Sequence, residues 1–318
     1  MLKNFFLFPF DENFKPAYRR YFKIAGITVC VESDLDFGAA PFKKEFTSFA
    51  VTGSGDDNVV LRHYFELPCL QGADLGVEVY RRKPWAISSR NGAWFYKDIA
   101  GEPEDAAPHR IAVFSCDYTR AVICNTPDDA QRIRAGGWPS LSLFPTDQIW
   151  LGPLLADRSA VLLHSAGVLL QGCGLLFVGH SSAGKSTTVN LLKKAMRRSD
   201  LQFEILCDDR NIVRHGDEGW QVYGTWSHGD VPDVSSASAP LRAILFLKKD
   251  TVNKIVPLCD RKEIWKRLLA TLIRPMVTAQ WWQKELDVLE RIVNDVPCFI
   301  MHFDKSGAIA AELERLIR

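Results

Sequence analysis

The chain has 318 residues, 47% apolar and 24% charged, with 39 lysines and arginines against 38 aspartates and glutamates. That length and composition can bury a substantial core and predict two domains. Near-neutral charge removes any global pull toward nucleic acid or a membrane surface, and no stretch reaches the roughly 20 apolar residues of a membrane span. The apolar opening, residues 1–10, is too short for a secretory leader and meets Asp11-Glu12 at once, with no small-residue cleavage site. Eight cysteines are scattered without Cys-x-x-Cys pairs or zinc spacing. Cys30, Cys124 and Cys298 sit in apolar strand-like runs and read as reduced core residues. A cytoplasmic setting is expected.

The first 125 or so residues read as strand-rich. Phe22, Ile24, Val29 and Val31 belong to one partly alternating run, followed by Val59-Val60-Leu61 and Val77-Glu78-Val79-Tyr80. Trp85-Ala86-Ile87-Ser88 and Trp94-Phe95-Tyr96 flank Asn91-Gly92, the pair that accepts the positive φ of a tight hairpin turn. Ile111 to Phe114 and Ala121 to Cys124 form a second hairpin pattern. Arg62 and His63 interrupt the apolar run from Val59; either one of them lines a cleft, or the strand is a solvated edge. The pattern turns helical at Pro127, and Gly136-Gly137-Trp138-Pro139 places a boundary near residue 140. The expected domains are therefore 1–140, strand-rich, and 141–318. The first either recognises a partner of the second, packs as an oligomer interface, or scaffolds.

Asp147 to Leu155 predicts a helix leading into the second domain. Next comes a hairpin pattern, Val168 to Gln171 and Leu175 to Val178, turning through Gly172-Cys173-Gly174. It is preceded by His164, which the hairpin would bring back toward the following loop. That loop, Gly179-His180-Ser181-Ser182-Ala183-Gly184-Lys185-Ser186-Thr187, matches the phosphate-cradling pattern G-x-x-x-x-G-K-[ST]. An apolar strand precedes it, and Val189, Leu192 and Met196 follow at helical spacing. Strand, glycine loop and helix is the order that lets backbone N–H groups and a helix start hold an anion. The cofactor-holding set is Gly179, Ser182, Ala183, Gly184, Lys185, Ser186 and Thr187. Lys185 would reach the β/γ-phosphates of ATP, and the Ser186 hydroxyl would ligate Mg²⁺.

Ile205-Leu206-Cys207-Asp208-Asp209-Arg210 is an apolar strand ending in paired carboxylates. One can serve a metal and leave the other free; their mutual repulsion is expected to raise one pKa and suit it to accept a proton. Downstream, Trp220 to Tyr223 and Leu241 to Leu247 read as strands, with Asp217-Glu218-Gly219 as a turn. Lys248-Lys249 reads as an ordinary solvated strand end. Two amphipathic helices follow, marked by Ile264, Leu268 and Leu272 and by Leu286, Leu289 and Val293. A strand at Phe299 to Phe303 and a closing helix at Ile309, Leu313 and Leu316 complete the chain. Trp281-Trp282 reads as core, and His228 is a candidate contact for a phosphate or acceptor.

The run Leu163-His164, Gly167-Val168, Gly179 through Gly184-Lys185-Ser186 and Cys207-Asp208-Asp209-Arg210 resembles the catalytic domain of HPr kinase/phosphorylase. The loop with its nearby Asp-Asp is similar to the nucleotide site of ATP-dependent phosphoenolpyruvate carboxykinase. With Tyr223-Gly224-Thr225-Trp226-Ser227-His228-Gly229, the chain also resembles the HPr-kinase-related proteins of bacterial peptide-modification gene clusters. The resemblance covers about residues 145 to 260. It implies an α/β P-loop kinase core, with an α+β strand-rich part before it, acting on a serine hydroxyl of a peptide or protein. It further implies Asp208 toward the metal, Asp209 as catalytic base, and His164 supporting Asp209 beside Lys185. The arginine- and asparagine-rich segment of HPr kinases is replaced here by Ser235-Ser236-Ala237-Ser238-Ala239-Pro240-Leu241, which argues for an acceptor other than HPr. Two alternatives stand beside a peptide kinase. One is a kinase for free serine or a small carboxylate, which an extra anion-binding pair such as Arg210 and Arg274 would favour. The other is a non-catalytic nucleotide sensor serving a peptide-modification enzyme.

Overall fold

A computed structural model describes residues 14–70, 73–100, 108–144, 146–197, 200–274 and 278–318; the apolar opening run of residues 1–10 lies outside these. The chain is mixed α/β and divides into two compact units, Met1–Trp150 and Leu151–Arg318. Among the described residues no helix is long and apolar enough to cross a membrane.

The first unit holds β1 (Tyr18–Ile24), β2 (Ile27–Ser33), a 3₁₀ turn (Lys44–Phe49), β3 (Ala50–Val51), β4 (Asp57–Tyr64) and β5 (Val77–Arg82). These are followed by β6 (Trp85–Arg90), β7 (Ala93–Asp98), β8 (Arg110–Ser115), β9 (Arg120–Asn125) and α1 (Pro127–Gly136). Nine strands form one sheet in the order β3-β1-β2-β4-β9-β8-β7-β6-β5. The run from Phe22 to Val31 is two strands, because Ala25 and Gly26 adopt positive φ of 49° and 81° and fold β1 onto β2. Asn91 and Gly92 do the same between β6 and β7.

β4 is not an edge strand: it pairs in parallel with β2 on one side and β9 on the other. His63 is fully buried, with Nε2 2.9 Å from Leu141 O and Nδ1 3.2 Å from Asn125 Nδ2. Burial pushes its pKa down to about 3, so the ring is neutral. Arg62 instead meets Glu32 at 3.2 Å.

The sequence boundary at 140 falls inside this unit, which runs ten residues further. Asp147 accepts hydrogen bonds from Leu141 N (3.0 Å), Ser142 N (2.9 Å) and Trp150 Nε1 (3.1 Å). Leu143 O accepts from buried Arg110. These contacts tie the buried polar groups of the segment to the first unit despite the Gly-Gly-Trp-Pro break. The division lies within α2 (Gln148–Ala156).

The second unit continues with β10 (Ala160–Leu170), β11 (Cys173–Val178), α3 (Lys185–Met196), β12 (Phe203–Cys207), β13 (Arg210–Gly216) and β14 (Gly219–Tyr223). It closes with β15 (Ser238–Lys249), β16 (Lys254–Pro257), α4 (Arg261–Thr271), α5 (Ala279–Asp295), β17 (Cys298–Phe303) and α6 (Ile309–Ile317). The β10–β11 turn is Gln171-Gly172, with φ of 50° and 74°, so Cys173 and Gly174 already belong to the strand. β15 lies parallel to β11 on one side and β17 on the other. One sheet face buries Val189, Leu192 and Met196 of α3 with Ile309 and Leu313 of α6. The other core gathers Ile264 and Leu268 of α4 with Leu289, Ile292 and Val293 of α5. Trp281 is buried there and Trp282 partly so, their rings edge to face with centroids 4.9 Å apart.

Glu285 of α5 is 1% exposed, and its Oε2 has no hydrogen-bond partner. Burial pushes its pKa up to about 9 from an ordinary 4.5, so the folded chain holds it protonated. The unfolded chain releases that proton above pH 4.5. This group therefore lowers stability progressively from pH 4.5 to 9, by about 1.4 kcal/mol per pH unit at most. Glu285→Gln should flatten the fall of unfolding free energy between pH 6 and 9, measured by urea denaturation. An unchanged slope would place the charge elsewhere.

Candidate functional site

β11 ends at Val178 and the chain turns through Gly179 into α3. Ser182 has φ 68°, Ala183 N donates to His180 O at 3.1 Å, and Gly184 takes φ 106°. That left-handed conformation is open to glycine at little cost. A Cβ at Gly184 would also lie 2.8 Å from the ring of Phe303. Thr188 N donates to Gly184 O at 2.8 Å, beginning the intrahelical ladder. The N–H groups of Lys185, Ser186 and Thr187 thus occupy the first turn, where an α-helix has no internal acceptors and its dipole is positive.

This helix start opens on a cleft of about 380 Å³ lined by Ser182, Gly184, Lys185, Ser186, Thr187, His164, Asp208 and Asp209. Gly179 and Ala183 are not part of the lining. Gly179 gives its carbonyl to Lys185 Nζ (2.9 Å), and Ala183 is buried in the core beneath. Lys185 Nζ also donates to His180 O at 3.3 Å. Burial lowers the Lys185 pKa, against the opposing charges of Asp209 and Asp208.

Asp208 and Asp209 are a two-residue interruption in what is otherwise one strand. His164 stands opposite Arg210 and Gly167 opposite Cys207, both on the same antiparallel register along β10. The aspartates fall opposite Ser165 and Ala166, and Ser165 N donates to Asp209 O at 3.1 Å. Neighbouring strand residues face opposite ways, and the two carboxylates find different surroundings. Asp208, 2% exposed, accepts from Gly229 N (2.6 Å) and Val231 N (2.9 Å). Asp209 Oδ1 lies 3.1 Å from His164 Nδ1, while Oδ2 meets Arg210 Nη1 at 2.7 Å and Ser227 Oγ at 3.2 Å.

The expectation that like-charge repulsion raises one pKa is corrected for Asp209. Burial raises it, but the His164 hydrogen bond, the Arg210 charge and the Ser227 hydroxyl outweigh burial and hold it below the ordinary value. The carboxylate is ionised at neutral pH.

As for a metal, no group of three or more His, Cys, Asp or Glu side chains is placed to hold an ion by itself among the described residues. A hydroxyl from Ser186 and one carboxylate from Asp208 on one cleft is nevertheless a donor set that fits Mg²⁺, which keeps several waters and takes its other oxygens from phosphates. Each Asp208 oxygen keeps a further lone pair beyond its amide contact.

Gly229, Asp230 and Lys249 also line the cleft, and sequence reading did not select them. The Gly224 to Gly229 run was visible as a motif, but the lysine ends a strand 64 positions after Lys185 and carries no local pattern. His228 is not among the lining residues and places Nδ1 2.9 Å from Gly229 O. Arg274 is exposed and does not line the cleft.

Removing His164 or Arg210 takes away a group that lowers the Asp209 pKa. Carboxyl ¹³C NMR titration should place the Asp209 midpoint below the ordinary aspartate value in the native chain and higher in His164→Ala and in Arg210→Ala. Midpoints that stay fixed in both variants would dissociate the carboxylate from these partners.

No protein-family model matches the chain, and no curated protein matches it in sequence. Among solved structures it is similar to the HPr(Ser) kinase/phosphatase from Coxiella burnetii, at 11% identity over 49% of this chain and 88% of that one. The TM-score of 0.27 is too low for that likeness to carry an argument about fold or function.

Proposed function

We propose that this chain is an ATP- and Mg²⁺-dependent kinase with a P-loop core of the HPr kinase/phosphoenolpyruvate carboxykinase type, transferring the γ-phosphoryl group to a serine hydroxyl of a peptide or protein. One observation supports it above the others: the helix start with Lys185 and an ionised Asp209 backed by His164 line the same cleft. The serine acceptor and its polypeptide context rest on the motif resemblance. In this reading residues 1–140 recognise the acceptor or scaffold the core, and the protein works in the cytoplasm.

The loop amides and Lys185 hold the phosphate chain, and Ser186 and Asp208 hold the metal. Mg²⁺ neutralises charge on the phosphates when bound. Asp209 accepts the proton of the acceptor hydroxyl as that oxygen attacks the γ-phosphorus in line. The bond to the β-γ bridging oxygen breaks, and ADP leaves. Positioning and charge neutralisation supply most of the acceleration, since the transferring group needs little covalent assistance. Arg210 and His164 keep Asp209 charged, which favours its readiness over its basicity.

The reading with a small carboxylate as acceptor asked for a free arginine pair. Arg210 is committed to Asp209 and Ser227, and neither it nor Arg274 lines the cleft. A purely sensing role leaves Asp209 and its partners without a purpose, since Asp208 suffices for the metal.

Asp208→Asn should weaken Mg²⁺·ATP binding and abolish transfer together. Asp209→Asn should leave nucleotide affinity nearly intact and lower kcat about 10²–10⁴-fold, the range for a lost general base. Isothermal titration with a nonhydrolysable ATP analogue, beside single-turnover transfer to candidate peptides, separates the two. Normal transfer by both variants would make the pair structural and reject the mechanism.

A further inference from the structure

Lys249 ends β15 at the wall of the cleft. Its place follows from strand register. Phe246 stands opposite Val178 in the parallel β15–β11 pair, so both chains leave the sheet at the same end. Three residues on, one has entered the loop at Ser181 and the other has reached Lys249; both residues line the cleft. Lys249 also stands opposite Phe303, whose ring fills the space beside Gly184. The Lys249 Cε lies 3.6 Å from where a Gly184 Cβ would be, so its stem runs along the residue that starts α3.

The charge of this lysine is uncommitted. Among the described residues no carboxylate is within ion-pair distance of its ammonium. The adjacent acid, Asp250, is engaged by His302 Nδ1 at 2.7 Å and by Thr251 N at 2.7 Å. Lys185, by contrast, is buried and bonded to loop carbonyls. The cleft thus has one cation built into the loop and a second, exposed one held against the helix start on a flexible stem. Asp208, Asp209 and Asp230 line the same cleft, so an anion there gains from positive charge beyond that of Lys185 and the metal.

We propose that Lys249 is a second phosphate-binding cation, which with Lys185 clamps a chain of two or more phosphate groups against the start of α3. This rests on the nucleotide reading above and deepens it. A lone phosphate is covered by the loop amides and Lys185. A second cation beside Gly184 becomes useful when the anion extends beyond them.

The experiment is isothermal titration of ATP, ADP and AMP, each with Mg²⁺, into the full chain and into Lys249→Ala, Lys249→Arg and Lys248→Ala. Lys249→Ala should bind ATP and ADP about tenfold more weakly at low salt, as expected for a charge-assisted contact at an exposed site. AMP affinity should change little, the gap for ATP should narrow as salt rises, and Lys249→Arg should keep most of the affinity. Lys248→Ala, on the alternate face of β15, should bind like the native chain. Equal ATP affinity in Lys249→Ala, or an equal loss for AMP, would overturn the proposal while leaving the nucleotide site standing. A native chain that binds none of the three would overturn both.

Discussion

The second unit depends on how β10 shares its hydrogen bonds. Its first half pairs with β13; its second half pairs with β11 on one edge and β12 on the other. Gly167 makes the division possible. The side chain of Asn211 crosses over it, and a Cβ there would lie 2.4 Å from Asn211 Oδ1. Asn211 Nδ2 donates to Ser165 O at 2.8 Å and to Cys207 O at 3.3 Å, tying both sides of the interruption to β10. The two aspartates are the residues left between these ties. Their position, and the closeness of His164 to Asp209, is therefore a matter of register.

Electrostatics then gives the two carboxylates different properties. Asp208 is held by the neutral backbone donors Gly229 N and Val231 N, while Asp209 is held by side chains that carry or can carry positive charge. The turn between them is braced by Cys207, whose buried sulfur accepts from Arg210 N at 3.2 Å, and by Thr225 Oγ1, which donates to Arg210 O at 2.7 Å. Buried polar groups cost free energy unless satisfied; here Cys207 Sγ, Thr225 Oγ1 and Asn211 Nδ2 have partners, while Asn211 Oδ1 has none. Such bracing fixes the side chains before any ligand arrives, which is the preorganisation that charge-stabilising sites need.

The same chain tolerates a very different burial in α5. Glu285 lies among apolar side chains of the α4–α5 core with one oxygen unpaired. It is held neutral, because solvation loss acts on it without an opposing charge. Asp209 and Glu285 are both carboxyls withdrawn from water, and their pKa values move in opposite directions. Partners decide the sign, not depth.

Much of the local structure was legible in the amino-acid sequence. Asn91-Gly92 specifies its turn by positive φ; Asp217-Glu218-Gly219 separates two strands; and the apolar spacing after Lys185 and after Arg261 marks helices, because these signals act within a few residues. The glycine loop and the Asp-Asp pair were equally visible as words. What the sequence could not decide was set by contacts across long separations. Parallel pairing on both sides put β4 inside its sheet and buried His63. Asp147 and Arg110 drew the segment after residue 140 into the first unit. His164, Arg210 and Ser227 turned the expected pKa rise of the carboxylate pair into a fall at Asp209. Lys249 was brought to the loop by a parallel strand pairing between residues some 70 positions apart in the chain. Periodicity and turn chemistry are local and can be read along the chain, whereas burial, register and the charge beside a side chain belong to whatever the fold places next to it.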